Sequence, residues 1–95
     1  MSTIKRTMTT WEKHDHEVEF ELPCYRRWKG IRIYKIIDEK TMIMVQNTEY
    51  LNPVIELVEG KVDSAFDKET YDATAEEFDE AFSNILSRIT KHIHQ

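Results

Sequence analysis

The stretch TAEEFDEAFSNILSRITKHI, Thr74 to Ile93, decides the fold. Thr74 and Glu77 have the spacing of a capping box, which predicts that a helix begins there. Its apolar residues recur at spacings of three and four, which places them along one stripe of that helix: Phe78, Phe82, Ile85, Leu86, Ile89 and Ile93. A single apolar stripe must be buried against a second layer, so the helix predicts a sheet as its partner.

The segments before the helix have the patterns of β-strands. In EVEFEL, residues 17–22, apolar and acidic residues alternate, which is typical of a half-buried strand ended by Pro23. Further strands are expected at 25–37, with a bulge or a close backbone approach at Gly30, then at 42–47, 54–58 and 62–66, with turns at 38–41 and Gly60. We therefore predict an α+β fold: an antiparallel sheet of four to five strands with one C-terminal helix packed on one face, in two layers.

The length of 95 residues predicts a single domain, 1–95, in which residues 1–13 form a loose N-terminal tail or an edge element. The net charge of −5 disfavours non-specific electrostatic binding to nucleic acid or to an anionic membrane. Cys24 is the only cysteine, which excludes an internal disulfide and favours a cytoplasmic protein. No apolar run approaches the roughly 20 residues that span a bilayer, so we expect no membrane partner.

One stretch stands out chemically. YRRWKGIRIYK, residues 25–35, contains five basic and three aromatic residues, although the chain is acidic overall. Alternate residues of a strand share a face, and the face with Ile31, Ile33 and Ile37 should pack on the helix. The opposite face, which we expect to be open, then presents the candidate interaction residues Arg26, Trp28, Arg32 and Tyr34.

The candidate residues allow two interpretations. Cations beside aromatics on an open sheet face are what single-stranded nucleic-acid binding proteins use, which makes strand 25–35 a possible nucleic-acid platform. However, the acidic face of the neighbouring strand should lie beside the arginines and cancel much of their field: Glu17, Glu19 and Glu21. Nucleic-acid binding is therefore the alternative hypothesis.

The preferred interpretation is a protein interface. Aromatic residues, Met and Arg are enriched at interfaces, and the open face adds either Met42 and Met44 or Ile43 and Val45 to the candidates. A symmetric dimer is the commonest way to cover such a face. The sequence thus predicts a small protein-interaction or accessory module that acts as a homodimer through the open sheet face or binds another protein.

No constellation in the sequence predicts catalysis. The pairs in HDH (residues 14–16) and HIH (residues 92–94) suggest metal binding, but neither pair is completed by further ligands at a suitable spacing. Cys24 has no histidine near it in sequence to act as its base, so we interpret it as a small buried residue. We expect no enzyme activity, no cofactor, no metal and no catalytic residue.

Overall fold

The computed structural model describes residues 2–9, 15–46, 53–67 and 69–93 of the chain. The strands are β1 (Thr3–Thr9), β2 (Asp15–Glu21), β3 (Cys24–Trp28), β4 (Arg32–Ile36), β5 (Thr41–Gln46), β6 (Val54–Glu59) and β7 (Thr70–Asp72). A 3₁₀ helix spans Val62–Phe66, and the helix α1 spans Ala75–Ile93.

The main sheet has five antiparallel strands in the order β6-β5-β4-β3-β7, and α1 packs on one of its faces, here called the helix face. Strands β1 and β2 form a separate antiparallel hairpin. The predicted α+β fold, with an antiparallel sheet and one C-terminal helix on one face, is therefore confirmed.

The start of α1 follows the predicted capping box. Thr74 Oγ1 accepts a hydrogen bond from Glu77 N at 3.1 Å, and Glu77 Oε1 accepts one from Thr74 N at 3.2 Å. Phe78 and Ile85 are buried against Ile33 and Val45 of the helix face. Reciprocal capping fixes where the helix begins, and the apolar stripe fixes which side of it meets the sheet.

The basic stretch forms two strands, so the prediction of one continuous strand with a bulge at Gly30 is wrong. The chain reverses at Lys29 and Gly30, whose φ angles are 51° and 69°, and Ile31 N donates to Trp28 O at 2.9 Å. Positive φ at both central residues is what the tight turns of β-hairpins require, and glycine adopts it without a steric penalty. Gly30 is therefore a turn residue.

The segment Val62–Phe66 is a 3₁₀ helix, which corrects the prediction of a short last strand there. Val62, Ala65 and Phe66 are buried, at spacings of three and four rather than two. Ser64 Oγ donates to Lys61 O at 2.8 Å across the same turn. The five residues are too few for periodicity alone to separate a helical turn from a strand.

The β1–β2 hairpin and the 3₁₀ helix cover part of the face opposite α1, here called the hairpin face. Ile4 of β1 is fully buried in one core cluster with Cys24 and Ile36, and the rings of Phe20 and Phe66 lie 5.0 Å apart. Of residues 1–13, Thr3–Thr9 therefore form a paired strand, and residues 10–13 lie outside the described residues. The sequence led us to expect an open face here. This expectation is wrong at the end of the hairpin face on which the β1–β2 hairpin packs.

Within the residues that the structure describes, no helix combines the length and the apolar character needed to cross a membrane.

Candidate protein-interaction site

The four side chains predicted as an interaction surface do share one face. Arg26 lies opposite Tyr34 and Trp28 lies opposite Arg32 across the β3–β4 pair. Directly paired residues of an antiparallel ladder point to the same side of the sheet, so all four point to the hairpin face. Three residues separate Trp28 from Arg32, so the two residues point to the same face, as they would in one continuous strand. The predicted grouping of the four side chains is therefore correct, although the prediction of one strand is wrong.

Two of the four residues are inaccessible. Arg26 is 4% and Tyr34 5% exposed, so the prediction of an open face is wrong at these positions. Arg26 donates from Nε to Ala65 O at 3.2 Å and from Nη2 to Thr70 Oγ1 at 2.9 Å, and from Nη1 to the carboxylate of Asp72. Its guanidinium group therefore links β3 to the 3₁₀ helix and to the edge strand β7.

Aromatic rings complete the surroundings of Arg26. The guanidinium carbon lies 5.7 Å from the ring centre of Phe20 and 5.7 Å from that of Phe66. Cation–π contacts of this kind are stronger where water is excluded. The side chain that looked in the sequence like a ligand-binding cation is thus enclosed by the core.

Trp28 and Arg32 remain partly exposed at the other end of the hairpin face. The Trp28 ring centre lies 5.2 Å from the Arg32 guanidinium carbon and 5.0 Å from Lys29 Nζ. Trp28 Nε1 donates to Glu69 Oε2 at 3.3 Å, and Arg32 Nε donates to Gln46 Oε1 at 3.1 Å. The accessible part of the predicted surface is one indole ring with cations beside it.

Arg32 also borders a cleft of about 210 Å³ that the sequence did not reveal. We call it the Arg32 cleft, and it is lined by Arg32, Tyr34, Met42, Met44, Glu56, Val58, Lys61 and Ser64. The register of β4, β5 and β6 resolves the alternative that the sequence left open, because it places Met42 and Met44 on the hairpin face and Ile43 and Val45 on the helix face. The residues that sequence reasoning missed are Glu56, Val58, Lys61 and Ser64. The predicted strand at 54–58 was a signal for the first two, because residues two apart in a strand share a face, and nothing local signalled the others.

The predicted pairing between glutamates of β2 and arginines of the basic stretch does not occur. Strand β2 pairs with β1, and Glu17 lies 3.9 Å from Lys5 Nζ. The side chains of Glu17, Glu19 and Glu21 are exposed on the outside of the β1–β2 hairpin, whereas Phe20 packs inward. The glutamates therefore do not neutralise Arg32.

The thiol of Cys24 is buried at the start of β3. Burial raises its pKa to about 11, and the nearby Arg26 only partly opposes this effect. A thiol with so high a pKa is protonated at neutral pH and is a poor nucleophile. The interpretation of Cys24 as a small buried residue agrees with this environment.

The histidine pairs fall largely outside the described residues. His14 and His94 lie outside them, and the side chains of His16 and His92 are not described. Among the side chains that are described, no group of three or more potential ligands is placed to hold a metal ion. Metal binding by His14 and His16 thus stays untested.

Comparisons with family models, with curated proteins and with solved structures give no match to this chain.

Proposed function

We propose that the protein is a small, non-catalytic protein-interaction module whose Arg32 cleft binds an acidic segment of another protein that also carries an apolar side chain. The observation that carries the proposal is that Arg32 bonds to an uncharged side chain and not to a carboxylate among the described residues. Its guanidinium group lines a cleft of mixed polar and apolar residues and donates to the neutral amide of Gln46, so a ligand's carboxylate could reach it.

The other arginines of the strands are already engaged by carboxylates. Arg6 lies 2.8 Å from Asp63 and Arg27 2.6 Å from Glu77, and Arg26 bonds to Asp72. Arg32 has no carboxylate partner among the ion pairs of the described residues, and neither does Lys61 at the same cleft. A planar guanidinium group binds carboxylates in a two-pronged geometry, which makes Arg32 the natural anchor for an acidic side chain.

The lining of the cleft suits an apolar side chain between the two cations. Met42, Met44 and Val58 contribute its apolar walls, and Trp28 stands beside Arg32. Methionine side chains adapt to irregular partners, and Trp and Arg are the residues that most often anchor interfaces. The combination supports recognition of a mixed acidic and apolar segment over a purely charged polymer.

The alternative is binding of single-stranded nucleic acid, and only Trp28 and Arg32 of the residues predicted for it are partly exposed. Such platforms stack successive bases on several rings, but Tyr34 is buried and the Trp28 ring is contacted by Lys29 and Arg32. A protein segment is therefore the favoured occupant.

A homodimer that covers the whole hairpin face is not part of this proposal, because the chain's own hairpin already covers the end with Ile4 and Cys24. We propose that the protein acts in the cytoplasm, where a lone thiol such as Cys24 stays reduced.

Selection from a library of displayed peptides tests the proposed function. Peptides are selected on the wild-type protein and counter-selected on Arg32→Glu, and their affinities are then measured for the wild type, Arg32→Glu and Lys35→Glu. Lys35 lies on the same strand but on the helix face, so Lys35→Glu makes the same charge change away from the cleft. We expect enriched peptides to contain acidic and apolar residues and to lose about tenfold or more in affinity on Arg32→Glu alone.

Two results would count against the proposal. Selected peptides that bind Arg32→Glu as tightly as the wild type would place the interaction elsewhere. Saturable, salt-sensitive binding of oligo-dT that is lost in Arg32→Glu would favour the nucleic-acid alternative.

A further inference from the structure

We propose that strand β6 is a self-association edge, at which two copies of the chain pair antiparallel about a two-fold axis centred on Leu57 and join their sheets into one. The occupant of this edge is a second copy of the chain. Glu56 and Val58 of β6 line the Arg32 cleft on the hairpin face, whereas the inference rests on the outer backbone edge of the strand and on Leu57 on the helix face. It does not depend on what that cleft binds.

The two edges of the five-stranded sheet differ in how well they are protected. Strand β7 has three residues and is too short to act as a template. Strand β6 is paired along all six of its residues with β5 in an uninterrupted register, and no other strand of the described part of the chain pairs with its outer side. It contains no proline, lysine or bulge, which are common devices that protect edges, and its charged side chains are Glu56 and Glu59.

The register shows which backbone groups face outward. Gly60 N donates to Lys40 O at 2.7 Å, and hydrogen-bonded pairs of an antiparallel ladder recur at every second residue. Val58, Glu56 and Val54 therefore bond inward to β5, and the N–H and C=O groups of Ile55, Leu57 and Glu59 point outward. The bond from Ile37 N to Thr41 O, 3.0 Å, agrees with this assignment. It shows that Thr41 and every second residue after it in β5 bond to β4, which leaves Met42, Met44 and Gln46 to bond to β6.

A two-fold axis perpendicular to the sheet keeps each face of the sheet on the same side, so a residue can be opposed only by a residue that points to the same face. The axis must therefore pass beside one residue of β6 and not between two residues. Centred on Leu57, it pairs Leu57 with its copy and Ile55 with Glu59 of the second copy, which gives roughly six hydrogen bonds between the chains. Centred on Ile55, it would oppose Leu57 to Pro53, which has no N–H to donate.

A register centred on Glu56 is worse for a second reason. It would place the two Glu56 carboxylates directly opposite each other, and like charges in that position are destabilising. It would also oppose Glu59 to Pro53. Of the registers centred on Ile55, Glu56 and Leu57, backbone bonding and like-charge repulsion therefore favour the one centred on Leu57.

The side chain of Leu57 supports the assignment. It lies on the helix face and is 59% exposed, the most exposed of the large apolar side chains described. In the proposed pair it would contact its own copy across the axis, so the contact would remove apolar surface from water on both chains at once.

Sedimentation equilibrium is the first test. We expect a mass of twice 11.4 kDa at micromolar to millimolar concentrations, and a dissociation constant raised about tenfold or more in Leu57→Lys. The matched control is Leu86→Lys, which changes another half-exposed leucine, on α1 rather than on β6. Arg32→Glu should leave the mass unchanged, which separates this inference from the proposed function.

Disulfide trapping tests the register. Leu57→Cys should form a cross-linked dimer under mild oxidation, because directly opposed residues have Cα atoms about 5.5 Å apart, within the range of a disulfide. Glu59→Cys alone should not cross-link, but a mixture of Ile55→Cys and Glu59→Cys chains should. A monomeric wild type, or a dimer indifferent to Leu57→Lys and not trapped by Leu57→Cys, would overturn the inference.

Discussion

Arg26 of the central part of the sheet bonds to Asp72, the residue directly opposite it across the β3–β7 pair. The same guanidinium group holds Ala65 O of the 3₁₀ helix. One side chain of β3 therefore bonds to two elements that lie 39 and 46 residues further along the chain. This arrangement explains why an arginine that resembles a binding residue in the sequence is a structural residue in the fold.

The first prediction separates the roles of Arg26 and Arg32. Arg26→Ala should lower the free energy of unfolding by about 2–4 kcal/mol, because buried acceptors lose their donor and the space between two rings is emptied. Arg32→Ala should cost less than about 1 kcal/mol, since it removes one hydrogen bond to Gln46 and one contact with the Trp28 ring, both partly exposed. Urea melts of both variants measure the difference, and equal costs would contradict the assignment.

The second prediction concerns the packing of α1. Phe78 is 3% exposed at the centre of the contact with the sheet, so Phe78→Ala should cost about 3–5 kcal/mol. Leu86 is 48% exposed, and Leu86→Ala should cost less than about 1 kcal/mol. Thermal or urea unfolding checks both values. A nearly neutral Phe78→Ala would mean that the helix does not pack through this stripe.

The third prediction concerns Glu77. A hydrogen bond from Arg27 is the main cause that lowers its pKa, and Thr74 adds smaller contributions. Because the folded-state pKa is below the unfolded value, the stabilisation is present above the unfolded pKa and is lost as the pH falls through the folded one. Carboxyl titration by NMR should show a pKa raised toward its ordinary value in Arg27→Met, and raised by less in Thr74→Ala. An unchanged pKa in Arg27→Met would contradict the ion pair.

The fourth prediction concerns Cys24. Because burial raises its pKa to about 11, alkylation by iodoacetamide at neutral pH should be much slower in the native protein than in urea. Mass spectrometry of timed samples measures both rates. Rapid modification of the native protein at neutral pH would show that the thiol is accessible and ionised.

Much of the fold could be predicted from local patterns. The capping box at Thr74, the apolar stripe of α1 and the alternation in residues 17–22 each depend on neighbours in sequence. The structure contains the capping box, the strand, and the part of the stripe formed by Phe78, Phe82 and Ile85. Leu86 of the predicted stripe is 48% exposed, and the side chains of Ile89 and Ile93 lie outside the described part of the chain. The grouping of Arg26 with Tyr34 was also predictable, because a hairpin with an odd number of turn residues keeps the alternation.

The covering of the hairpin face could not be predicted in the same way. It depends on which sheet β2 joins, and the alternation in residues 17–22 is satisfied equally by an added strand of the main sheet and by a hairpin laid over it. The bond from Arg26 to Ala65 O links residues 39 apart in sequence. No local pattern marks such a contact, so the burial of Arg26 and the outline of the Arg32 cleft required the tertiary structure.

The most direct test of the central claim is an NMR titration of the isotope-labelled protein with a selected acidic and apolar peptide, and separately with oligo-dT. The backbone amides of Met44 and Val58 and the Trp28 indole N–H report on the cleft and its rim. We predict that the peptide shifts these signals saturably, that Arg32→Glu abolishes the shifts while Lys35→Glu retains them, and that oligo-dT leaves them in place. Saturable shifts with oligo-dT, or peptide shifts confined to α1, would contradict the account.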